Sequence, residues 1–253
     1  MSRIIAIANQ KGGVGKTTTV INLSAALAET GKRVLTVDMD PQGNTSSGLG
    51  LDKDALKNTV YQLLIGACSL EECLQKSAAK GVSVLPATVH LAGAEVELIG
   101  TAESQYILKK ELDAVREQYD YILIDCPPSL NLLTINAMTA ADSVLVPIQC
   151  EYYALEGLSQ LMYTIRLVQK SLNPSLKIEG VVFTMFDTRT NLSLQVVENV
   201  KENFPEHIFR TMIPRNVRLA EAPSHGQPIT IYDTRSAGAE SYRKLAAELI
   251  KRK

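Results

Sequence analysis

The sequence predicts a doubly wound α/β fold: a mostly parallel sheet with helices on both faces. Three observations carry that expectation. Short apolar runs rich in β-branched residues (IIAIA, YILID, VLVPI, GVVFTM) alternate with longer amphipathic segments, and continuous runs of that length suit strands buried on both faces. A glycine-rich segment separates the first such run from the first amphipathic stretch. Two further runs end in carboxylates, Asp38 and Asp125, and the strand ends of a parallel sheet line the ligand crevice.

The elements follow in order. IIAIA predicts a first strand over Ile4–Ala8, and the amphipathic stretch after the glycines predicts a helix over Lys16–Thr30, closed by Gly31 as a natural terminator. Further strands are expected over Arg33–Asp38, Val82–Pro86, Tyr121–Asp125, Ser143–Ile148 and Glu179–Met185, with additional candidates at Phe209–Ile213 and Ile229–Ile231. Helical periodicity places helices over Ser104–Gln118, Leu130–Ala140, Leu155–Leu172, Leu192–Phe204 and Ala237–Arg252. The stretch Asn44–Lys80 is the least regular and reads as small helices outside the main sheet. No repeat or Pro/Gly/Ser-rich linker divides the chain, so one domain over 1–253 is expected.

Composition excludes several classes. Hydrophobic residues make up 45% and charged residues 21%, too apolar for a disordered chain. No stretch approaches the ~20 apolar residues that span a bilayer, and the opening MSRIIAIANQKGG turns Gly- and Lys-rich without a cleavage site, so it reads as a strand. Cys68, Cys73, Cys126 and Cys150 form no CxxC pair and read as reduced thiols of a cytoplasmic protein. His90, His207 and His225 are scattered and take no role. The net charge is -1, which excludes a constitutive polycation but not a local basic patch.

The decisive segment runs Asn9-Gln10-Lys11-Gly12-Gly13-Val14-Gly15-Lys16-Thr17-Thr18. It lies between a strand and a helix, the context a phosphate-binding loop requires. Glycines let backbone N–H groups converge on an anion, and the helix N-terminus adds open donors. Lys16 is placed to reach β- and γ-phosphates, Thr17 to offer its hydroxyl to Mg²⁺, and Thr18 to approach the α-phosphate. The usual G-x-x-x-x-G-K-[ST] pattern is not met, because Gln10 stands where its first glycine belongs and Lys11 adds a lysine.

KGGVGKTT resembles the loop of the deviant Walker A ATPases, the group of the ParA partition ATPases, the MinD cell-division ATPases and the nitrogenase iron protein. The resemblance implies an ATP- and Mg²⁺-dependent P-loop NTPase whose two copies sandwich nucleotide, with Lys11 crossing to the partner's phosphates. It also implies roles for the acidic strand ends. Asp125, after YILI, matches the Walker B aspartate and holds a Mg²⁺-bound water. Asp40 matches the family aspartate that positions the attacking water, which makes Lys11, Lys16 and Asp40 the catalytic set. Asp38 supports the Mg²⁺ surroundings or the loop. For adenine, the resemblance suggests the end of the Val181–Met185 run and the loop Ile213-Pro214-Arg215-Asn216, with Pro214 and Asn216 in contact.

DMDPQGN, DCPPSL, PIQCEYYALEGL and IPRNVRLAEAPSHG together resemble the ParA/Soj chromosomal partition proteins over nearly the whole chain. That resemblance implies an ATP-driven homodimer that binds double-stranded DNA without sequence preference. A ParB-type partner stimulates its hydrolysis, and the protein is cytoplasmic and nucleoid-associated. Arg189 and Arg218 match positions tied to DNA binding, with Arg215, Arg235, Arg243 and Lys244 as further candidates. Charge is distributed accordingly: residues 214–253 hold 8 basic and 4 acidic side chains. Two rival readings stay open. A MinD-like protein would use the stripe Ala239, Tyr242, Leu245, Ala246, Leu249 and Ile250 on a membrane, but the expectation here is packing on its own sheet and no stable membrane association. A small-molecule phosphotransferase of the same fold would need an acceptor pocket and would not need Lys11.

Overall fold

Strand β1 (Arg3–Ile7) lies inside a sheet of seven strands, with order β3-β4-β2-β5-β1-β6-β7, in a computed structural model that describes residues 2–151, 154–204 and 207–252. The others are β2 (Val34–Asp38), β3 (Gln75–Lys76), β4 (Val82–Leu85), β5 (Tyr121–Asp125), β6 (Ser143–Gln149) and β7 (Lys177–Thr184). Every pairing is parallel except that of β3 with β4 at one edge. The doubly wound α/β class expected from the sequence is therefore the observed one. Its registry matters for function: Ile7 pairs with Asp125, and Asp38 pairs with Asp125, so the ends of β1, β2 and β5 finish level with one another.

The helices are α1 (Lys16–Glu29), α2 (Asn44–Gly48), α3 (Val60–Leu64), α4 (Leu70–Cys73), α5 (Leu91–Glu97) and α6 (Ile107–Val115) in the first half. The second half carries α7 (Leu132–Ala140), α8 (Ala154–Ser171), α9 (Asn191–Asn203), α10 (Val217–Glu221), α11 (Ile229–Tyr232) and α12 (Ala237–Lys251). Side chains of β1 alternate between two cores. Ile4 and Ala6 join α6, α7 and α8 on one face, and Ile5 and Ile7 join α1 and α12 on the other. The stripe of α12 is buried there through Ala239, Tyr242, Leu245, Ala246 and Leu249, as the sequence led us to expect.

Several expectations need correction. Phe209–Ile213 is not a strand, although its backbone follows β7, with Phe209 N donating to Val181 O at 2.9 Å and Ile213 N to Phe183 O at 2.8 Å. Ile229–Ile231 is not a strand either. These β-branched residues form the single turn α11, whose Ile229 N–H donates to Asn22 Oδ1 at 2.7 Å. Tertiary contact overrides local preference there. The expected helix over Ser104–Gln118 is α6 with a 3-10 turn at either end. Helix α7 starts at Leu132 rather than Leu130, because Asn131 caps it by accepting from Thr134 N. The stretch Asn44–Lys80 does hold short helices, α2 to α4, together with the edge strand β3. Tyr152 and Tyr153 of the PIQCEYYALEGL motif and the terminal Lys253 lie outside the described residues.

Candidate active site

Chain direction reverses after β1, and the turn is built from its own side chains and glycines. Asn9 donates through Nδ2 to Pro147 O at 2.8 Å and accepts from Lys11 N at 3.0 Å, which ties the loop to β6. Gly13 and Gly15 have φ of 73° and 86°, a region that costs other residues energy. At Gly15 an added Cβ would meet only ordinary contacts with Thr184, so backbone conformation and not space requires glycine. Helix α1 then begins at Lys16 with no side-chain cap. Its first N–H groups are left for an anion.

Lys16 is only 7% exposed, and its Nζ donates to Lys11 O at 3.1 Å. Burial pulls its pKa down, and the nearby Asp125 carboxylate opposes that pull most strongly. Thr17 Oγ1 donates to Asp125 Oδ2 at 2.8 Å, and Thr45 Oγ1 donates to the same oxygen at 2.6 Å. Asp38 accepts from Ser46 N at 2.9 Å, Ser46 Oγ at 2.7 Å and Asp40 N at 3.2 Å. Both Asp38 and Asp125 are fully buried, and burial pushes both pKa values well above the carboxylate range. Asp38 pushes Asp125 further by repulsion. Asp125 Oδ1 has no hydrogen-bond partner among the described residues.

Asp40 stands two residues beyond β2, half-buried, with Oδ1 accepting from Gln42 N at 3.0 Å. It faces a cavity of about 560 Å³ lined by Gly12, Gly13, Gly15, Lys16, Thr17 and Thr18 on one side. Pro214, Arg215 and Asn216 line the other side, together with Met185 and Tyr242. The structure thus brings together the loop, Asp40 and both residues expected at the base. Asn216 also caps α10 by accepting from Leu219 N at 3.3 Å. Asp38, Asp125, Val14 and Lys11 are not in the cavity wall. Val14 is buried behind the loop, and its carbonyl accepts from Thr184 Oγ1 at 2.8 Å. Lys11 turns away, and its Nζ pairs with Glu151 Oε2 at 2.6 Å, with both side chains partly exposed.

The residues fit a magnesium nucleotide. An unpartnered buried carboxylate oxygen, a second buried carboxylate beside it and a helix-start threonine form a hard-oxygen set suited to Mg²⁺. The glycine loop, open N–H groups and Lys16 are the matching anion site. Among the described residues no group of three or more His, Cys, Asp and Glu side chains is placed to hold a metal.

Of the arginines expected at DNA, Arg215 lines the cavity, and Arg189, Arg218 and Arg243 are each paired with a carboxylate of this chain. Arg189 is 85% exposed and forks onto Asp187, with Nε to Oδ1 at 2.9 Å and Nη2 to Oδ2 at 2.7 Å. That hydrogen bonding holds the Asp187 carboxyl down to about 2. Arg218 lies 2.9 Å from Glu221 and 3.6 Å from Asp233. Arg215 is exposed beside the cavity. Arg243 is tied to Glu29 and Thr234, and Lys244 to Glu240. Arg252 stacks over Phe209 at 3.7 Å, so part of the basic C-terminal segment serves packing.

Sequence reasoning missed the supporting residues. Thr45 and Ser46 hold the two buried carboxylates, and the run TSS immediately after DPQGN was the available signal. Thr184 pins the loop from the end of β7, where a hydroxyl after the apolar run GVVF was also visible. Met185 bends away at φ 49°, unusual for a side-chain-bearing residue. Glu151 as the partner of Lys11 had no sequence signal.

Comparison with known proteins finds relatives over nearly the whole chain. A family profile described as an AAA domain matches residues 2–178. The chain is 59% identical over 249 residues to the sporulation initiation inhibitor protein Soj of Bacillus subtilis, covering 98% of both. It is 55% identical over 252 residues to the chromosome partitioning protein ParA of Myxococcus xanthus, covering 100% of this chain and 89% of that one. Among solved structures, the Mycobacterium smegmatis cobyrinic acid a,c-diamide synthase with bound ADP and magnesium superposes with a TM-score of 0.87. Its identity is 41%, over 99% of this chain and 95% of that one. The septum site-determining protein MinD of Pyrococcus horikoshii with Mg-ADP is 30% identical with a TM-score of 0.84, over 99% and 97% of the two chains.

Proposed function

Because this chain belongs to the Soj/ParA family of chromosome-partitioning ATPases, we propose that it works as an ATP-driven dimeric DNA-binding switch for chromosome or plasmid segregation. It is an ATPase that uses ATP with Mg²⁺. Bound Mg–ATP supplies the phosphoanhydride that is cleaved and a cation that neutralises charge on it. The chain's own residues do the rest. The loop amides and Lys16 bind the phosphates, Thr17 and Asp125 hold the metal's surroundings, and Asp38 braces the Asp40 turn through Asp40 N. Asp40 orients and deprotonates water. Pro214 and Asn216 flank the base.

The observation that carries the switch is the position of Lys11. It lies in the phosphate loop yet points out of the cavity that Lys16 lines, held by one partly exposed carboxylate. A lysine so placed is free to leave Glu151 for the phosphates of a second copy. Dimerisation then doubles an arginine rim formed by Arg189, Arg215 and Arg218. Phosphate-directed affinity rises steeply with the number of contacts, so pairing two weak rims gates DNA binding. A ParB-type protein would reset the cycle by stimulating hydrolysis, and the whole ATPase domain, 1–253, would work in the cytoplasm on the nucleoid. Stable membrane association is not part of this reading, because the stripe of α12 is buried against α1. Among the described residues no helix is long and apolar enough to cross a membrane.

Cosedimentation with DNA, with and without ATP over a salt series, tests this reading. Binding that needs ATP and falls steeply with salt is expected. ATP-independent DNA binding, or ATP-dependent binding to anionic liposomes instead, overturns it.

A further inference from the structure

Outside the lining of the nucleotide cavity, the short helices α3 and α4 carry a feature that the ATPase reading does not use. Cys68 and Cys73 bring their Sγ atoms to 2.8 Å. Both are free thiols. The helix geometry explains the approach. Cys73 is the last residue of α4, and Cys68 sits immediately before Ser69, which caps that helix with a reciprocal Glu72 bond. One helical turn separates the two residues, and the cap folds Cys68 back over the end of the turn. Cys73 is fully buried and donates through Sγ to Thr59 O at 3.4 Å. Cys68 is half-buried, beside the exposed Gly66 and Ala67. One thiol is thus open to solvent and its neighbour is already aimed at it.

We propose that Cys68 and Cys73 form a reversible redox-modification site that closes to an intramolecular disulfide when a peroxide reaches Cys68. The thiolate of Cys68 attacks one peroxide oxygen, giving a sulfenic acid and releasing hydroxide, or water after proton uptake. The Cys73 sulfur then attacks the Cys68 sulfur, the S–O bond breaks, and water leaves with the proton of Cys73. Two electrons pass from the two thiols to the peroxide, and a dithiol reductant returns them. Reaction is slow at neutral pH. Burial and the neighbouring Cys68, Glu72 and Glu111 hold Cys73 protonated, and a protonated thiol is a poor nucleophile. Cys126 and Cys150 are buried apart from this pair and stay reduced. The closed form ties the turn between α3 and α4; at the other end of α3, Thr59 and Gln62 line a second cavity with Pro41 and Gln42.

The test is peptide mass spectrometry on the native chain after graded hydrogen peroxide, with alkylation before and after denaturation. Both cysteines lie in one tryptic peptide, Asn58–Lys76. Expected is a population of that peptide about 2 Da lighter, carrying no alkyl group, and restored by dithiothreitol. In Cys73→Ser the same dose takes Cys68 to sulfinic acid, because the resolving thiol is gone. Oxidised native chain melts at a higher temperature than reduced chain, and Cys68→Ser loses that difference while keeping ATP turnover. Over-oxidation of Cys68 with Cys73 still free in the native chain overturns the proposal. So does full alkylation of both cysteines after peroxide treatment.

Discussion

The ends of β1, β2 and β5 and the arginine rim from Asp187 to Arg218 handle charge in opposite ways. At the strand ends Asp38, Asp125 and Lys16 are withdrawn from water, and each is held by donors or acceptors that the fold places. Isolated burial of such groups costs several kcal/mol; Thr17 and Thr45 hold Asp125 Oδ2 and Ser46 holds Asp38, which leaves Asp125 Oδ1 without a partner among the described residues. Out at the rim, Arg189 and Arg218 pair with Asp187 and Glu221 in open solvent. Exposed pairs of that kind contribute little net stability. Buried charge is therefore fixed in place by the fold, and rim charge sits in pairs that solvent can open.

Mutations at the two regions should break this contrast in graded steps. Lys16→Ala removes charge-assisted bonds from the phosphates, and ATP affinity is expected to fall on the order of 1,000-fold in equilibrium titration. An unchanged affinity would remove Lys16 from the site. Asp40→Ala leaves the loop intact, so ATP binding and dimerisation persist while single-turnover hydrolysis falls on the order of 100-fold or more. Normal turnover would take Asp40 out of the chemistry.

At the rim the effects are smaller and salt-dependent. Arg189→Glu should weaken DNA binding on the order of tenfold at low salt and flatten the salt slope, with dimerisation by sedimentation unchanged. Asp187→Asn frees the same guanidinium, so DNA affinity should rise roughly two- to threefold. The informative comparison is Asp187→Asn on an Arg189→Ala background. No gain there means that Asp187 acts by masking Arg189, and an equal gain would reduce it to a general charge effect.

How far these regions were legible in the sequence follows the same physics. The loop, Asp40 and Asp125 could be read because phosphate binding demands glycine, lysine and threonine in a fixed local order, and strands β1, β2 and β5 are plain apolar runs. Pro214 and Asn216 reached the cavity wall through resemblance alone. What stayed hidden depends on contacts between distant segments. Lys11 meets Glu151 across 140 positions, and nothing in KGGVGKT foretells that partner. Phe209–Ile213 and Ile229–Ile231 look like strands because β-branched residues fit a pleat. The first only follows the edge of β7, and the second coils because Asn22 takes the Ile229 N–H.

The packing of α12 against α1 bears on how the chain folds. Tyr242 lines the cavity and lies 3.3 Å from Thr19 through its hydroxyl, 223 positions away along the chain. Contacts of that separation form late, since the loop-closure entropy must be met before they contribute. Helix α1 gains this partner only when α12 docks. The cavity wall at Tyr242 is then complete only in the finished fold.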